Sequence, residues 1–463
     1  MDLTPVAFTN DVDGDGTLDG NATGAWGDNE DDVWVYMGMR RGGGSYYAIN
    51  ASDPDSPSLM WKISSDTAGF GELGQTLSEP VVTRIPGYTD GDDQPKPVLI
   101  FGAGYDTNKD GKSGAGSPDS MGRGIFIVDA ETGALIWSVT YGSGAGTETN
   151  LVDNGLLHSV PGGVAILDSN GDELTDRLYF ADTGGNIWRI DMPGLTLRGS
   201  EDTPWQLIKL ADFNPNSALS SAADRRFFNV PDVVRIRFKG ESVDAVIIGS
   251  GDRTNPNGSD VDNFIYMIRD KATAAYATPR PTLAQCSDAS LELDDFRCEL
   301  PLYDDDLFDV SDNTINEGAT EAVRAAAIQA LGESDGWRLE LGNAGEKSLA
   351  QTLTINGKVY APAFTPTTLI EDVNICKPLP GSGLLYVIDL YDAGRDVINL
   401  GPIIPDTPSL HFAEDGTIRV VLPPGTPATS IDQPSDIDCR GGICDISENL
   451  PSPFGNYWFQ ESY

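Results

Sequence analysis

The chain has 463 residues and a formal net charge of −41 at pH 7, from 71 acidic and 30 basic side chains. So large an excess of negative charge argues against nucleic acid or an anionic membrane surface as a partner. The hydrophobic content of 39 % supplies enough apolar side chain for a folded core. Because 463 residues exceed the size at which one core usually stops growing, we expect several domains or one large repeat architecture.

The sequence carries no clear signal for a membrane span or for secretion. No stretch approaches the ~18 consecutive apolar residues of a spanning helix. The first residues, MDLTPVAFTND, lack a basic segment followed by an apolar one. We therefore expect a fragment or a processed chain whose targeting segment is missing.

The five cysteines form two close pairs and one single residue. Cys286 and Cys298 bracket a polar loop, Cys439 and Cys444 bracket a tight turn, and Cys376 is alone. This spacing favours two local disulfides, which indicate an oxidising compartment. Free thiols in a cytosolic protein are the alternative.

A repeated unit of short strands runs along the chain. It consists of an apolar strand ending in Gly, a strand of the form aromatic-apolar-Asp, a turn, and a strand that carries Trp. The copies lie at 33–63, 97–139, 163–192, 244–270 and 357–394. Their period is near the ~40–50 residues of a propeller blade. We predict an all-β fold, a modified β-propeller with irregular four-stranded blades and long inserted loops; a β-sandwich is the competing architecture.

We expect a single propeller domain over 1–463. One helix is predicted at about 317–331, which is rich in Ala and Glu and is followed by Gly332 as a stop. This helix lies in an acidic insertion at about 286–335. The C-terminal segment, about 408–463, is expected to close the last blade or to add a strand to a partner.

Tryptophans and arginines near the strands have structural interpretations. Trp61, Trp137 and Trp188 share one repeat position and are expected in the core between blades. Arg40 and Arg41 precede three glycines. We favour their pairing with carboxylates at a blade edge over a role as a binding loop.

Two nine-residue loops carry the most specific chemistry. Side-chain oxygens recur at loop positions 1, 3, 5 and 9, and a backbone carbonyl is available at position 7. Oxygen ligands without His or Cys select calcium. The predicted ligands are Asp168, Asn170, Asp172, the Leu174 carbonyl and Asp176 in one loop, and Asp11, Asp13, Asp15, the Thr17 carbonyl and Asp19 in the other.

Neither loop is a complete EF-hand, because the twelfth position is Ala22 in one loop and Tyr179 in the other. The flanking residues read as strands, so we predict a calcium site between two strands of a blade. The alternative is a solvated acidic turn without a metal. A third, weaker metal candidate comprises Asp106, Asn108 and Asp110, which match only the first half of the pattern.

These motifs resemble the C-terminal domain of the PilY1/PilC family, the type IV pilus tip and biogenesis proteins. The resemblance is specific in the first half of the chain and thin beyond residue 270, where it is confined to 364–368 and 383–390. The matching stretches are 11–20, 33–63, 69–82, 98–111, 124–139, 162–194 and 246–253.

The resemblance implies a propeller at the extracellular pilus tip or outer-membrane surface, secreted through the periplasm. Family members act with minor pilins in pilus (fimbrium) assembly, oppose retraction, support twitching motility, and in several cases adhere to host cells or abiotic surfaces. Calcium in the Asp-rich loop is thought to govern the balance between assembly and retraction. Here Asn170 replaces the commoner Asp at the second ligand position, which lowers the charge of the loop.

The alternative function is a quinoprotein-like propeller dehydrogenase. The segment 129–137 (DAETGALIW) resembles the tryptophan-docking motif of those enzymes, which is structural. No adjacent Cys-Cys pair is present, and the two histidines, His158 and His411, lie far apart in sequence. The acidic run 304–306 is typical of a solvated face. We therefore expect no enzymatic activity.

Overall fold

The structure is a computed structural model. It describes residues 3–11, 16–18, 31–110, 118–144, 146–147, 149–199, 203–214, 221–288, 290, 295–318, 320–367, 381–412, 418–421, 438–440 and 443–445.

The described strands form six sheets that follow one another along the chain, which we number blades 1 to 6. Blade 1 contains β1 (Val6–Asn10), β2 (Asp32–Met37), β3 (Ser45–Asn50) and β4 (Ser58–Ser64). Blade 2 contains β5 (Val81–Thr83), β6 (Val98–Gly102), β7 (Gly124–Asp129), β8 (Leu135–Tyr141) and β9 (Asn150–Asp153). Blade 3 contains β10 (Ala165–Leu167), β11 (Arg177–Ala181), β12 (Asn186–Asp191) and β13 (Gln206–Asp212).

Blade 4 contains β14 (Asp232–Phe238), β15 (Glu241–Gly249), β16 (Phe264–Asp270), β17 (Phe308–Asp309) and β18 (Gly336–Glu340). Blade 5 contains β19 (Leu353–Ile355), β20 (Lys358–Thr365), β21 (Ser382–Asp389) and β22 (Arg395–Gly401). Blade 6 contains β23 (Ser409–Phe412), β24 (Ile418–Val421), β25 (Asp438–Arg440) and β26 (Ile443–Asp445). The strand pairs are antiparallel except β8–β9 and β17–β18, which are parallel.

The hydrophobic core lies between the blades. Each of five buried clusters joins two blades that are consecutive in the chain, from blades 1 and 2 to blades 5 and 6. Strand β6 shows how the sequence achieves this, because all five of its residues are buried. Leu99 and Phe101 pack toward blade 1, and Val98 and Ile100 pack toward blade 3. Alternate side chains of a strand face opposite sides, so a strand buried on both faces is apolar throughout.

Four short connectors also join neighbouring blades through backbone hydrogen bonds. In one of them, the Phe227 N–H donates to the Asp182 carbonyl of blade 3 at 3.2 Å, and the Arg226 carbonyl accepts the Gly251 N–H of blade 4 at 2.9 Å. The connectors are residues 74–76, 159–160, 226–227 and 347–348. This face-to-face packing of consecutive sheets confirms the predicted all-β propeller class over the β-sandwich.

The predicted helix is present but is shifted along the chain. Helix α3 spans Glu321–Glu333 and begins at Thr320, whose hydroxyl accepts the Val323 N–H. Gly332 lies inside this helix instead of ending it, so its predicted role as a stop is wrong. Two one-turn helices, α1 (Leu283–Cys286) and α2 (Thr314–Glu317), precede α3.

The acidic insertion lies between β16 and β18 of blade 4 and contains the short strand β17. Its helix α3 buries Ala327 and Leu331 against that blade. The predicted disulfide between Cys286 and Cys298 is present in this insertion. The backbones of Cys439 and Cys444 are directly paired in β25 and β26, and their disulfide remains a prediction; Cys376 lies outside the described residues.

Tryptophans lock neighbouring blades, as the repeat predicted. The Trp61 indole N–H of blade 1 donates to the Ala130 carbonyl of blade 2 at 3.0 Å. Trp137 and Trp188 are both buried in the core between blades 2 and 3. Trp337, which sequence reasoning missed, donates in the same way from blade 4 to the Leu390 carbonyl of blade 5, at 3.0 Å. Among the described residues, no helix has both the length and the apolar character needed to cross a membrane.

Candidate functional site: the carboxylate loops

The loop at residues 168–176 joins β10 to β11 and wraps around the Asp168 carboxylate. Oδ1 accepts the backbone N–H groups of Asn170 at 3.2 Å, Gly171 at 2.6 Å and Asp172 at 3.3 Å. Oδ2 accepts the Glu173 N–H at 2.8 Å. Gly171 and Glu173 have φ values of +83° and +67°, which the tight wrap requires and which Gly adopts at low cost. The loop therefore curls around its first predicted ligand.

The middle of the loop is exposed and carries the next two predicted ligands. The Asn170 Nδ2 group donates to Asp172 Oδ2 at 3.1 Å, and Asn170 Oδ1 accepts the Asp172 N–H at 2.9 Å. Asp172 Oδ1 accepts the N–H of Leu174, the residue whose carbonyl is a predicted ligand, at 2.9 Å. Side-chain oxygens from three predicted positions thus lie in one small loop.

The last predicted side-chain ligand, Asp176, is buried. Its carboxylate accepts the Ser169 N–H at 2.9 Å and the Ser169 hydroxyl at 2.6 Å. Burial raises the pKa of Asp176, and these hydrogen bonds and neighbouring Arg177 oppose the shift only in part. A divalent cation beside this carboxylate would favour its ionised form, because an opposite charge nearby lowers a carboxyl pKa.

The donor set fits calcium, although the oxygens are not yet gathered around one point. Within the described residues, no three Asp, Glu, His or Cys side chains are clustered closely enough to hold a metal ion. The reason is visible in the loop: Asp168 is turned toward backbone N–H groups and Asp176 toward Ser169. Calcium would hold Asp168, Asn170, Asp172 and Asp176 only after these side chains exchange hydrogen bonds for metal coordination.

The N-terminal loop repeats one diagnostic contact of the 168–176 loop. Asp11 Oδ2 accepts the Gly16 N–H at 2.8 Å, and Gly16 has a φ of +80°. Loop positions 1 and 6 are joined in the same way by Asp168 and Glu173, also at 2.8 Å. Thr17 is exposed. The other predicted ligands of this loop, Asp13, Asp15 and Asp19, lie outside the described residues.

The third candidate stretch uses its carboxylates within the protein. Asp106 accepts the Ser120 N–H at 2.6 Å and the Asn108 N–H at 3.0 Å. Asp110 forms a two-point ion pair with Arg41, at 2.8 and 3.0 Å. Burial would raise the pKa of Asp110, but hydrogen bonds from Arg41 and Tyr105 outweigh it and lower the pKa. The positive charge beside Asp110 is thus the Arg41 guanidinium of blade 1. Arg41 pairs with a carboxylate at a blade edge, which is the role that the sequence favoured.

Sequence reasoning missed a buried network of charges beside the 168–176 loop. Its ion pairs join blades 3 and 4: Arg177 to Asp244 at 2.5 Å and to Asp270 at 3.0 Å, and Arg189 to Asp270 at 2.6 Å. Arg189 also pairs with Asp191 at 2.6 Å. The full network comprises Arg177, Arg189, Arg235, Asp191, Asp244 and Asp270, with Tyr179 donating to Asp270. The signal in the sequence was an Arg within each of two largely apolar strands, RLYFA (177–181) and NIWRID (186–191).

Comparison with known proteins identifies relatives over most of the chain. A type IV pilus biogenesis factor PilY1 homologue from Xylella fastidiosa is 25 % identical over 401 residues, which are 83 % of this chain and 23 % of the relative. PilY1 from Pseudomonas aeruginosa is 25 % identical over 381 residues, 77 % of this chain and 29 % of the relative. The chain thus spans about a quarter of the length of these relatives. No protein-family profile matches it.

Solved structures give the fold independently. The C-terminal domain of P. aeruginosa PilY1 matches with a TM-score of 0.54 and 18 % identity, covering 90 % of this chain and 82 % of that domain. A quinohemoprotein alcohol dehydrogenase from Comamonas testosteroni has a TM-score of only 0.39 at 10 % identity, which is too distant to bear on function. The curated relatives are named biogenesis factors, not enzymes. The chain is therefore a homologue of PilY1 proteins with the β-propeller fold of their C-terminal domain, as its motifs predicted.

Proposed function

We propose that this chain is the calcium-binding propeller of a type IV pilus biogenesis protein and that it supports pilus assembly by opposing retraction. The observation that carries the proposal is the similarity to PilY1 biogenesis factors over 83 % of the chain. The match to the fold of the PilY1 C-terminal domain supports it. A second, catalytic function is not proposed, because no geometry in the described residues favours one.

The calcium part of the proposal rests on the 168–176 loop. Three carboxylates and an amide oxygen belong to one loop that curls around Asp168. Calcium accepts six to eight such oxygens in flexible geometry. When bound, it would offset two of the four negative charges of the loop and join its exposed middle to buried Asp176. The shared contact of loop positions 1 and 6 supports a second calcium loop at 11–19.

The proposed location is extracellular, at the pilus tip or the outer-membrane surface, after passage through the periplasm. The Cys286–Cys298 disulfide supports an oxidising compartment. Minor pilins are the proposed partners, and adhesion to a host cell or abiotic surface and support of twitching motility are proposed consequences of a position at the tip. The net charge of −41 implies that such contacts use positively charged or calcium-bridged partner surfaces.

A piliation assay tests this function. In the organism that encodes the chain, Asp172→Ala should abolish or sharply reduce surface pili and twitching, because it removes a central carboxylate of the loop. If the protein opposes retraction, deleting the retraction motor in the same strain should restore surface pili. Sheared pili are quantified by immunoblot and twitching by the width of the subsurface zone.

The matched control is Asp92→Ala, which changes an exposed Asp in another acid-rich turn. This variant should retain parental piliation. Normal pili and twitching after deletion of the whole gene would overturn the pilus function. Normal piliation in Asp172→Ala alone would overturn only the role of calcium.

A further inference from the structure

The 168–176 loop ends in three consecutive residues that contact three different blades. Thr175 contacts blade 2: its Oγ1 lies 2.7 Å from Thr83 Oγ1, and its N–H donates to the Arg84 carbonyl at 2.8 Å. Asp176 remains in blade 3, where its N–H donates to the Leu167 carbonyl at 3.1 Å. These backbone bonds leave Asp176 little freedom except rotation of its side chain.

Arg177 makes the third contact, with blade 4. Its guanidinium is fully buried and pairs with Asp244 of β15 and Asp270 of β16. Successive side chains of an extended strand point to opposite sides, so Asp176 faces the loop while Arg177 faces the neighbouring blade. The carbonyl of Asp176 also accepts the Met192 N–H at 2.8 Å, which continues the ladder of β11 and β12.

We infer that Thr175 and Arg177 are positioning residues for Asp176, so that calcium binding in this loop is coupled to the packing of blade 3 against blades 2 and 4. The inference rests on the proposed calcium function and deepens it. The loop is then a junction of three blades. Calcium binding in it depends on the contacts of blade 3 with blades 2 and 4 and stabilises those contacts.

The physical argument is geometric. Calcium ligands must lie about 2.3–2.6 Å from the ion, and the other candidate side chains belong to the exposed, more adaptable part of the loop. Asp176 is the predicted side-chain ligand whose two sequence neighbours, Thr175 and Arg177, contact other blades. A change in blade packing therefore moves Asp176 relative to Asp168 and Asp172. Coupling free energies are reciprocal. If blade packing changes the affinity for calcium, calcium binding stabilises that packing by the same free energy.

The charges of the network make the blade 4 contact specific. Three arginines and three aspartates balance one another in a buried site. Removing one partner leaves an uncompensated charge, which strongly destabilises a buried pair. Sliding of blade 3 against blade 4 would break the same pairs, so the interface has one strongly preferred register.

The first test changes the network without touching the loop. Asp244→Asn keeps the shape of the side chain and weakens its pairing with Arg177 and Arg235. Calcium affinity is measured by isothermal titration calorimetry at 25 °C and constant ionic strength, on samples shown to be folded by circular dichroism. We expect the calcium Kd to rise about five-fold or more.

The matched control is Asp304→Asn. Asp304 also lies between two arginines, Arg225 at 2.8 Å and Arg338 at 3.4 Å, but neither arginine contacts the 168–176 loop in the described hydrogen bonds and ion pairs. Its calcium Kd should stay within about two-fold of the parent. An equal loss of affinity in both variants would show a general effect of destabilisation and would overturn the inference.

A milder variant tests the contact of Thr175 with blade 2. It keeps the inference testable if Asp244→Asn does not fold. Thr83→Val removes the hydroxyl partner of Thr175 without changing side-chain volume much. Its control is Thr140→Val, which removes a buried hydroxyl bonded to Asn150 inside blade 2. Thr83→Val should weaken calcium binding at least about three-fold, and Thr140→Val should not.

The outcomes separate the two proposals. If the parent binds calcium and both Asp244→Asn and Thr83→Val bind it with the parental Kd, the coupling between blades is wrong and the calcium site stands. If the parent itself shows no calcium binding at millimolar concentration, the calcium function falls and the inference falls with it. Weaker binding in either blade variant, with both controls unchanged, supports the inference.

Discussion

At the scale of single residues, aspartates in similar acidic stretches have different roles because their neighbours differ. Asp110 is paired with an arginine from the preceding blade and has a lowered pKa. Asp176 is buried, its carboxylate accepts hydrogen bonds from Ser169, and burial raises its pKa. Asp168 caps the backbone of its own loop. Among the described residues, an added cation would find Asp176 and Asp168 without an arginine already paired to them, whereas Asp110 is already paired with Arg41. The acidic stretches are therefore not equivalent as metal sites.

Asp232 provides a residue-scale prediction of pH dependence. Burial raises its pKa to about 6, and Thr354 of blade 5 opposes the shift only in part. Because the folded-state pKa lies above the ordinary value, the folded protein holds this proton more tightly, and the contribution of Asp232 to stability falls as pH rises from about 4 to about 6. Asp232→Asn should therefore raise the free energy of unfolding at pH 8, by on the order of 1–3 kcal/mol.

Urea denaturation at pH 4.5 and pH 8 measures this effect. The variant should gain stability relative to the parent at pH 8 and gain little at pH 4.5, where Asp232 of the parent is already protonated. An equal change at both pH values would contradict the assignment to ionisation of Asp232.

At the scale of the structural element, the turn between β7 and β8 is built to receive a tryptophan from the previous blade. Gly133 has a φ of +70° and lies against the face of the Trp61 ring, while the Trp61 N–H bonds to Ala130. The Asp-x-x-Thr-Gly pattern is thus a docking surface as well as a turn. Its recurrence in weaker form explains why irregular blades still pack side by side.

Gly133→Ala should destabilise the protein through this contact. A Cβ at this position would lie 2.9 Å from two ring atoms of Trp61, and overpacking of this kind costs about 1–3 kcal/mol in addition to the strain of positive φ. Gly194→Ala is the control, because Gly194 has a φ of +77° and no atom within 4 Å of the added Cβ. Equal losses of unfolding free energy in the two variants would rule out the docking contact as the cause.

At the scale of the whole molecule, the net charge of −41 opposes the compact state and any salt relieves it. The core is divided among the spaces between blades, so stability depends on interfaces between neighbouring blades. A calcium ion that joins one loop to two interfaces would act on the contacts that hold the core together.

Calcium stabilisation should therefore exceed that of salt at matched ionic strength. At calcium concentrations about 100-fold above Kd, one site adds about 2.7 kcal/mol to the free energy of unfolding. Thermal unfolding in calcium chloride is compared with unfolding in sodium chloride and magnesium chloride. Asp172→Ala should gain less stability from calcium than the parent does, because it keeps only the proposed loop at 11–19 intact; a calcium response equal to that of the parent would contradict the 168–176 site.

Local patterns in the sequence were enough to predict the all-β class, the repeated blade and the two carboxylate loops, because periodic apolar residues and ligand spacing are local properties of the chain. It also predicted the pairing of Arg41 and the inter-blade position of Trp61 from their places in the repeat. The pairing of Asp110 with Arg41 and the contacts of Thr175 and Arg177 with two other blades were decided by the tertiary structure. Those contacts join residues up to about a hundred positions apart, so their partners depend on how the blades pack, which no local pattern encodes.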